Sequence, residues 1–324
     1  MSEQRRPQYR KDPLLEKFGE EMNDSLRGLE DSLRRQVPEK AESPIFIVGL
    51  QRSGTTLLNQ LLLANFDFFY PNNLLARFWK APLVGTLLSN SLKDHLTPRE
   101  GLTSDLGYTE GLGGAHEFGY FWKQFFPTGK IVSNESIRSR QDLYGRLRES
   151  VVGMSHLVDK PVLFKNIVQL ALNLEGIHEV LPEALFVHIS REPFFVCQST
   201  YLSRLRLYED DGGWFGIVPP EVRRAKELPP LEQVVWQVTR SSSILRGQVA
   251  RLPSEQILEI RYEQLVADPG GLLNRAEEFF VRNRTDRKRS GAWRLGDRLE
   301  SGNTPKVSDE MREDIERLLE QTDE

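Results

Sequence analysis

The sequence predicts an α/β fold, a central parallel sheet flanked by helices. Short apolar runs rich in branched residues recur at Pro44–Gly49, Leu185–Ser190 and Ile257–Tyr262, with a weaker one at Pro161–Lys165. Such runs suit strands buried on both faces. Helical patterns lie between them, over 55–65, 167–181, 193–205, 231–251 and 269–283. Strands alternating with helices argue for a parallel sheet covered on both sides. The 324 residues, 39% hydrophobic and 28% charged, are enough for such a core without staples.

Residues 1–12, MSEQRRPQYRKD, are polar, so neither a leader nor a membrane anchor is expected. Asp12 then reads as a helix N-cap and Pro13 as the first helical residue. Leu15, Phe18, Met22, Leu26, Leu29 and Leu33 recur at helical spacing, and Pro38 ends the pattern. The expectation is an N-terminal helical extension over 1–40. Its apolar stripe docks on the body or meets a second copy in a homodimer. Residues 41–324 read as one α/β domain. An insertion at about 66–160 shapes a substrate pocket, with a glycine-rich stretch at 106–114 and many aromatics. Phe66, Phe68, Phe69, Tyr70, Phe78 and Trp79 are available to that pocket, although core packing is the expected role of most. Residues 282–298 carry seven basic against two acidic residues, a solvated face or the neighbour of an anion.

Composition narrows the partners. A formal charge of −4 leaves no footprint for nucleic acid. The single cysteine, Cys197, excludes an internal disulfide and a cysteine-built zinc site, and no metal is expected. No apolar run is long enough to span a bilayer. A soluble, cytoplasmic protein is the expectation.

The chemistry concentrates where the first strand ends, in Gly49-Leu50-Gln51-Arg52-Ser53-Gly54-Thr55-Thr56-Leu57-Leu58. Two glycines bracket four residues ahead of a helix. That spacing lets backbone N–H groups curl around an oxyanion with the helix end behind them. In loops that read nucleoside triphosphates a lysine follows the second glycine. Thr55 stands there instead, and the cation has moved to Arg52. The loop is suited to a phosphate, but not to the γ-phosphate of a triphosphate.

Together with His188-Ile189-Ser190-Arg191-Glu192-Pro193 and Ser199, this loop resembles the sulfotransferases that use 3′-phosphoadenosine 5′-phosphosulfate (PAPS), in their bacterial and Golgi-like branch. The resemblance runs from about residue 44 to 310 and implies a P-loop-like sulfotransferase fold. It implies that Arg52, Ser53, Gly54, Thr55, Thr56 and Leu57 hold the 5′-phosphosulfate, and that Arg191 and Ser199 hold the 3′-phosphate. An arginine fork matches phosphate oxygens two at a time, which agrees with that role. By the same resemblance Lys165 assists the leaving bridge, Tyr262 lines the adenine side, and Lys306 lies in a loop over the 3′-phosphate. The implied reaction is transfer of a sulfuryl group to a hydroxyl or amine of a small molecule or saccharide. A kinase-like phosphotransferase and a non-catalytic nucleotide-binding protein are the alternatives.

One branch of the family places a base histidine two residues after the lysine. This chain reads Lys165-Asn166-Ile167, without it. Other branches take a glutamate from a segment after the first helix. Glu117, in Gly113-Gly114-Ala115-His116-Glu117-Phe118, is the first candidate base, with His116 second and His95 third.

Overall fold

The computed structural model describes residues 5–96, 109–209, 212–285 and 299–322. Four strands form at the expected places: β1 Ile45–Gly49, β2 Leu163–Lys165, β3 Leu185–Ser190 and β4 Ile257–Arg261. All pair in parallel, in the order β2-β1-β3-β4. The chain leaves β1 toward β2 on one side and returns to β3 on the other. The winding therefore switches between β1 and β3, where open α/β sheets bind ligands at their carboxyl edge.

Every residue of β1 is buried, because both faces of the sheet are covered. Phe46 and Val48 face one core, and Ile45 and Ile47 the other. On the first face Phe46 stacks with Phe164 and Phe186 at centroid distances of 5.3 and 5.7 Å and meets Trp122 edge-on at 5.8 Å. Such pairs contribute roughly 0.5–1.5 kcal/mol each beyond the area they bury. On the second face Ile47, Val187 and Ile189 pack with Leu58, Leu61, Leu273 and Phe280.

The helices are α1 Pro13–Ser25, α2 Arg27–Arg34, α3 Thr55–Asn65, α4 Pro82–Ser91, α5 Gly119–Lys123, α6 Asn134–Ser139, α7 Gln141–Val158, α8 Leu174–Val180, α9 Pro193–Leu207, α10 Val222–Ala225, α11 Pro230–Val249, α12 Tyr262–Ala267, α13 Pro269–Arg282 and α14 Asp309–Glu320. The helix expected over 167–181 starts only at Leu174. Upstream, Asn166 Oδ1 accepts from the N–H groups of Gln169 and Leu170 at 2.9 and 3.3 Å. This side-chain bonding holds a turn in competition with the helix.

At the N-terminus Asp12 caps as expected, accepting from Leu14 N–H at 2.8 Å. The long helix, however, breaks at Leu26, and it docks by a different face. Leu15, Phe18 and Leu29 are exposed. The buried positions are Gly19, set against the Trp79 ring, Asn23, bonded to Arg77 O and Lys80 N–H, and Glu30. The Glu30 carboxylate accepts from Leu83 and Val84 N–H at 3.0 and 3.2 Å, where α4 presents its orphan amides. Of the basic stretch, residues 286–298 lie outside the described residues.

Most aromatics of the 66–160 stretch build core. Phe66 and Phe68 pack edge-on against Phe280, and Trp79, Phe118, Phe121, Trp122, Phe125 and Phe126 belong to the same core as Phe46.

Candidate active site

Between β1 and α3 the backbone turns so tightly that side chains are excluded. A Cβ on Gly49 would lie 2.6 Å from Ile189 O and 2.8 Å from Ser53 Oγ. Gly54 adopts a left-handed φ of 98°, and a Cβ there would lie 2.6 Å from Tyr262 Cδ2. Arg52 also has positive φ, 64°, which is uncommon for a residue with a side chain. Such strain persists only where neighbours over-determine it, and here they do. Ser53 Oγ donates to Leu50 O at 2.7 Å, Arg52 O accepts from Arg191 Nη1 at 2.8 Å, and Arg52 Nε donates to Ser199 Oγ at 2.8 Å. The turn leads into α3, whose first amides have no helical partner and favour an anion.

Arg191 follows β3 and stitches three segments together. Besides Arg52 O, its Nη2 donates to Gly302 O and its Nε to Asn303 Oδ1, each at 2.8 Å. Its guanidinium stands 4.3 Å from the centre of the Tyr262 ring, a cation–π contact. Burial pulls its pKa down from the ordinary arginine value. Tyr262, at the start of α12, accepts from Gly302 N–H at 2.9 Å through its hydroxyl. Gln198 latches the same loop from α9: its Nε2 donates to Thr304 O at 3.0 Å, and its Oε1 accepts from Lys306 N–H at 2.6 Å.

These groups surround a cavity of about 260 Å³. Arg52, Gly54, Thr55, Thr56, Leu57, Glu117, Arg191, Ser199, Tyr262 and Lys306, all expected from sequence, line it. Ser53 does not; it is buried inside the turn and braces it. Lys165, at the end of β2, is not a lining residue; its side chain, only 5% exposed, contacts two that are. Its Nζ donates to Thr56 Oγ1 at 2.9 Å and pairs with Glu117 Oε1 at 3.2 Å. Asn166 Nδ2 holds the Glu117 backbone carbonyl at 3.0 Å. Glu117 is therefore set beside a cation, while Phe118, Phe121 and Trp122 turn away into the core.

The two histidine candidates are placed otherwise. His116 is not a lining residue, and its Nδ1 accepts from Phe118 N–H at 2.8 Å. That bond assigns the proton of the neutral ring to Nε2, so the ring offers a donor rather than a base. Burial, reinforced by the charge of Lys165, lowers its pKa to about 4. His95 ends an exposed turn and does not line the cavity. None of the aromatics over 66–79 lines it.

Sequence reasoning passed over Gln51, Ile167, Gln198, Leu202, Phe215 and Gly302, which also line the cavity. Leu202 lies three residues after Ser199 on α9, so helical spacing from Ser199 points to it, and Gln198 lies four before Leu202 on the same face. Phe215 carries no local signal. Among the described residues no group of three or more His, Cys, Asp or Glu side chains could hold a metal ion. No helix among them is long and apolar enough to cross a membrane.

Comparison with known proteins gives the chain's family and fold. Residues 44–286 match a family model described as "Sulfotransferase family". The chain is 26% identical over 262 residues to omega-hydroxy-beta-dihydromenaquinone-9 sulfotransferase Stf3 of Mycobacterium bovis, and equally to that of Mycobacterium tuberculosis. That alignment covers 72% of this chain and 62% of each relative, so the chain spans under two thirds of the length of the curated relatives it matches. The crystal structure of sulfotransferase STF9 from Mycobacterium avium superposes with a TM-score of 0.52 at 14% identity, covering 84% of this chain and 76% of that one. This likeness shows the fold.

Proposed function

The chain belongs to the sulfotransferase family, and from that premise we propose that it moves a sulfuryl group from PAPS to a hydroxyl or amine of an acceptor. The observation that carries the reading is the 2.8 Å bond from Arg52 Nε to Ser199 Oγ. It joins the turn suited to a 5′-phosphosulfate to the helix suited to a 3′-phosphate, across one cavity. Arg52, Thr55, Thr56 and the amides opening α3, with Leu57 beside them, receive the 5′ group. Arg191 and Ser199 receive the 3′-phosphate. Tyr262 flanks the base, and the loop of Gly302 and Lys306 closes over the ribose side.

The donor supplies the sulfuryl group and departs as adenosine 3′,5′-bisphosphate. Glu117 takes the proton of the acceptor hydroxyl or amine as that atom bonds to sulfur. Arg52 and Lys165 meet the charge that develops on the departing bridge oxygen as its bond to sulfur breaks. Charge fixed in place before reaction costs no reorganisation, the usual source of such stabilisation. Thr55, standing where triphosphate loops carry lysine, speaks against a kinase.

The curated relatives are named for a hydroxylated menaquinone. From them we carry over only a hydroxyl on an apolar body. Ile167, Leu202 and Phe215 on the cavity wall support this over a saccharide. A labelled-sulfate transfer screen over phenols, aliphatic alcohols, amines and saccharides tests the reading. Transfer to an apolar phenol or alcohol is expected. Binding of the bisphosphate with no transfer to any acceptor would leave a non-catalytic nucleotide-binding protein. Magnesium-dependent turnover of ATP would point to a phosphotransferase instead.

A further inference from the structure

We propose that residues 5–12 form a strap that ties together the two walls of the acceptor side of the cavity and sets the width of its mouth. The inference rests on the reading above only in calling that side the acceptor's. At one end the strap is fixed to the close of α9. Arg5 forms an antiparallel bridge with Tyr208, and Arg6 N–H donates to Leu207 O at 3.0 Å. Arg6 Nε and Nη2 donate to Tyr208 O and Leu205 O at 3.0 and 3.2 Å, and Arg10 Nη2 pairs with Glu209 at 2.8 Å. At the other end Lys11 Nζ donates to the Tyr120 hydroxyl, which itself donates to Glu16, and stands 3.9 Å from the centre of the Tyr120 ring. Leu202 lines the cavity three residues before the first anchor, and Glu117 lines it three residues before the second.

No side chain of the strap is buried. Its hold is polar, of the kind that exposed pairs make and break readily. A segment so fastened opens without disturbing the core, and it connects the end of α9 to α5. It acts as a positioning element for the acceptor and leaves the nucleotide end of the cavity alone.

The test uses the full chain with Arg6→Ala/Arg10→Ala, which removes the side-chain bonds at one end and leaves its backbone bridge, and separately Lys11→Ala, which removes the lysine's hold on Tyr120 at the other. Because all three side chains are exposed, both variants keep the fold. Each is expected to raise the acceptor KM roughly threefold to tenfold while the affinity for adenosine 3′,5′-bisphosphate stays put. Amide exchange supplies a readout that needs no turnover. Loosening the Arg6 end should speed exchange at 117–123, and loosening the Lys11 end should speed it at 205–209. Exchange that changes only next to the substituted residue overturns the strap, and so does an unchanged acceptor KM. A chain that transfers no sulfate refutes the proposed reaction but leaves the exchange result to judge the strap.

Discussion

On the Arg191 side of the cavity all three guanidinium nitrogens have protein partners, and the strained turn at Arg52, the helix at Ser199 and the loop at Gly302 are bonded to one another. At Glu117 the carboxylate pairs with Lys165, and Ile167, Leu202 and Phe215 add apolar surface to the cavity lining. The first wall is organised before any ligand arrives, so little ordering remains for binding to offset. The second is shaped by apolar surface and a polar strap, which lets acceptors of different outline be accommodated. The proposed reaction, with a fixed donor and a variable acceptor, calls for this division.

The sharpest way to separate the walls is Glu117→Gln. It should lower kcat by about 10²–10⁴-fold, the usual contribution of a general base, with bisphosphate affinity unchanged in calorimetry. Loss of both together would mean the walls are not independent. Arg191→Ala strikes the other wall. Loss of charge-assisted hydrogen bonds should weaken bisphosphate binding roughly 10²–10³-fold, and Arg191→Lys should restore only part, because an ammonium lacks the planar fork.

His116, next to Glu117 in the chain but outside the cavity lining, gives a pH test of stability. Its folded pKa, about 4, lies below the ordinary 6.5, so the unfolded chain takes up this proton first as pH falls. The stability it contributes is complete above pH 6.5 and is lost as pH drops toward 4, amounting to about 2 kcal/mol after allowance for its partial exposure. His116→Asn, which still offers an acceptor to Phe118 N–H, should flatten that limb in urea titrations at stepped pH. The smallest expected effect belongs to Gly54→Ala. Its left-handed φ and the nearby Tyr262 ring should cost about 1–2 kcal/mol of stability, read from the denaturant midpoint, and bisphosphate affinity should fall with it.

Legibility followed the same division. β1, β2 and β3 were readable because burial on both faces leaves apolar runs, whereas the edge strand β4 alternates, with Glu259 and Arg261 exposed; α3 was readable because Gly54 and the leucine spacing mark it. Arg52 stood out because a glycine-bracketed turn ahead of a helix suits an anion, whereas Arg191 and Ser199 were marked only by the family resemblance. The acceptor wall is assembled from distant segments. Phe215 reaches it from a loop, and nothing local distinguishes its ring from the core rings of Phe118 or Trp122. The face by which the N-terminal helices dock on the body was hidden for a related reason. Gly19, Asn23 and Glu30 dock by close approach and by hydrogen bonds to Lys80, Leu83 and Val84, interactions that hydrophobic spacing does not register.

The most direct measurement is a pair of calorimetric titrations on the intact chain, one with adenosine 3′,5′-bisphosphate and one with ADP. The two ligands share adenosine and a 5′-phosphate and differ in where the second phosphate sits. If Arg191 and Ser199 hold a ribose-linked phosphate opposite the turn at Arg52, the 3′,5′-bisphosphate binds more tightly by about tenfold or more. Equal affinities, or a preference for ADP, would contradict the assignment of the two ends of this cavity.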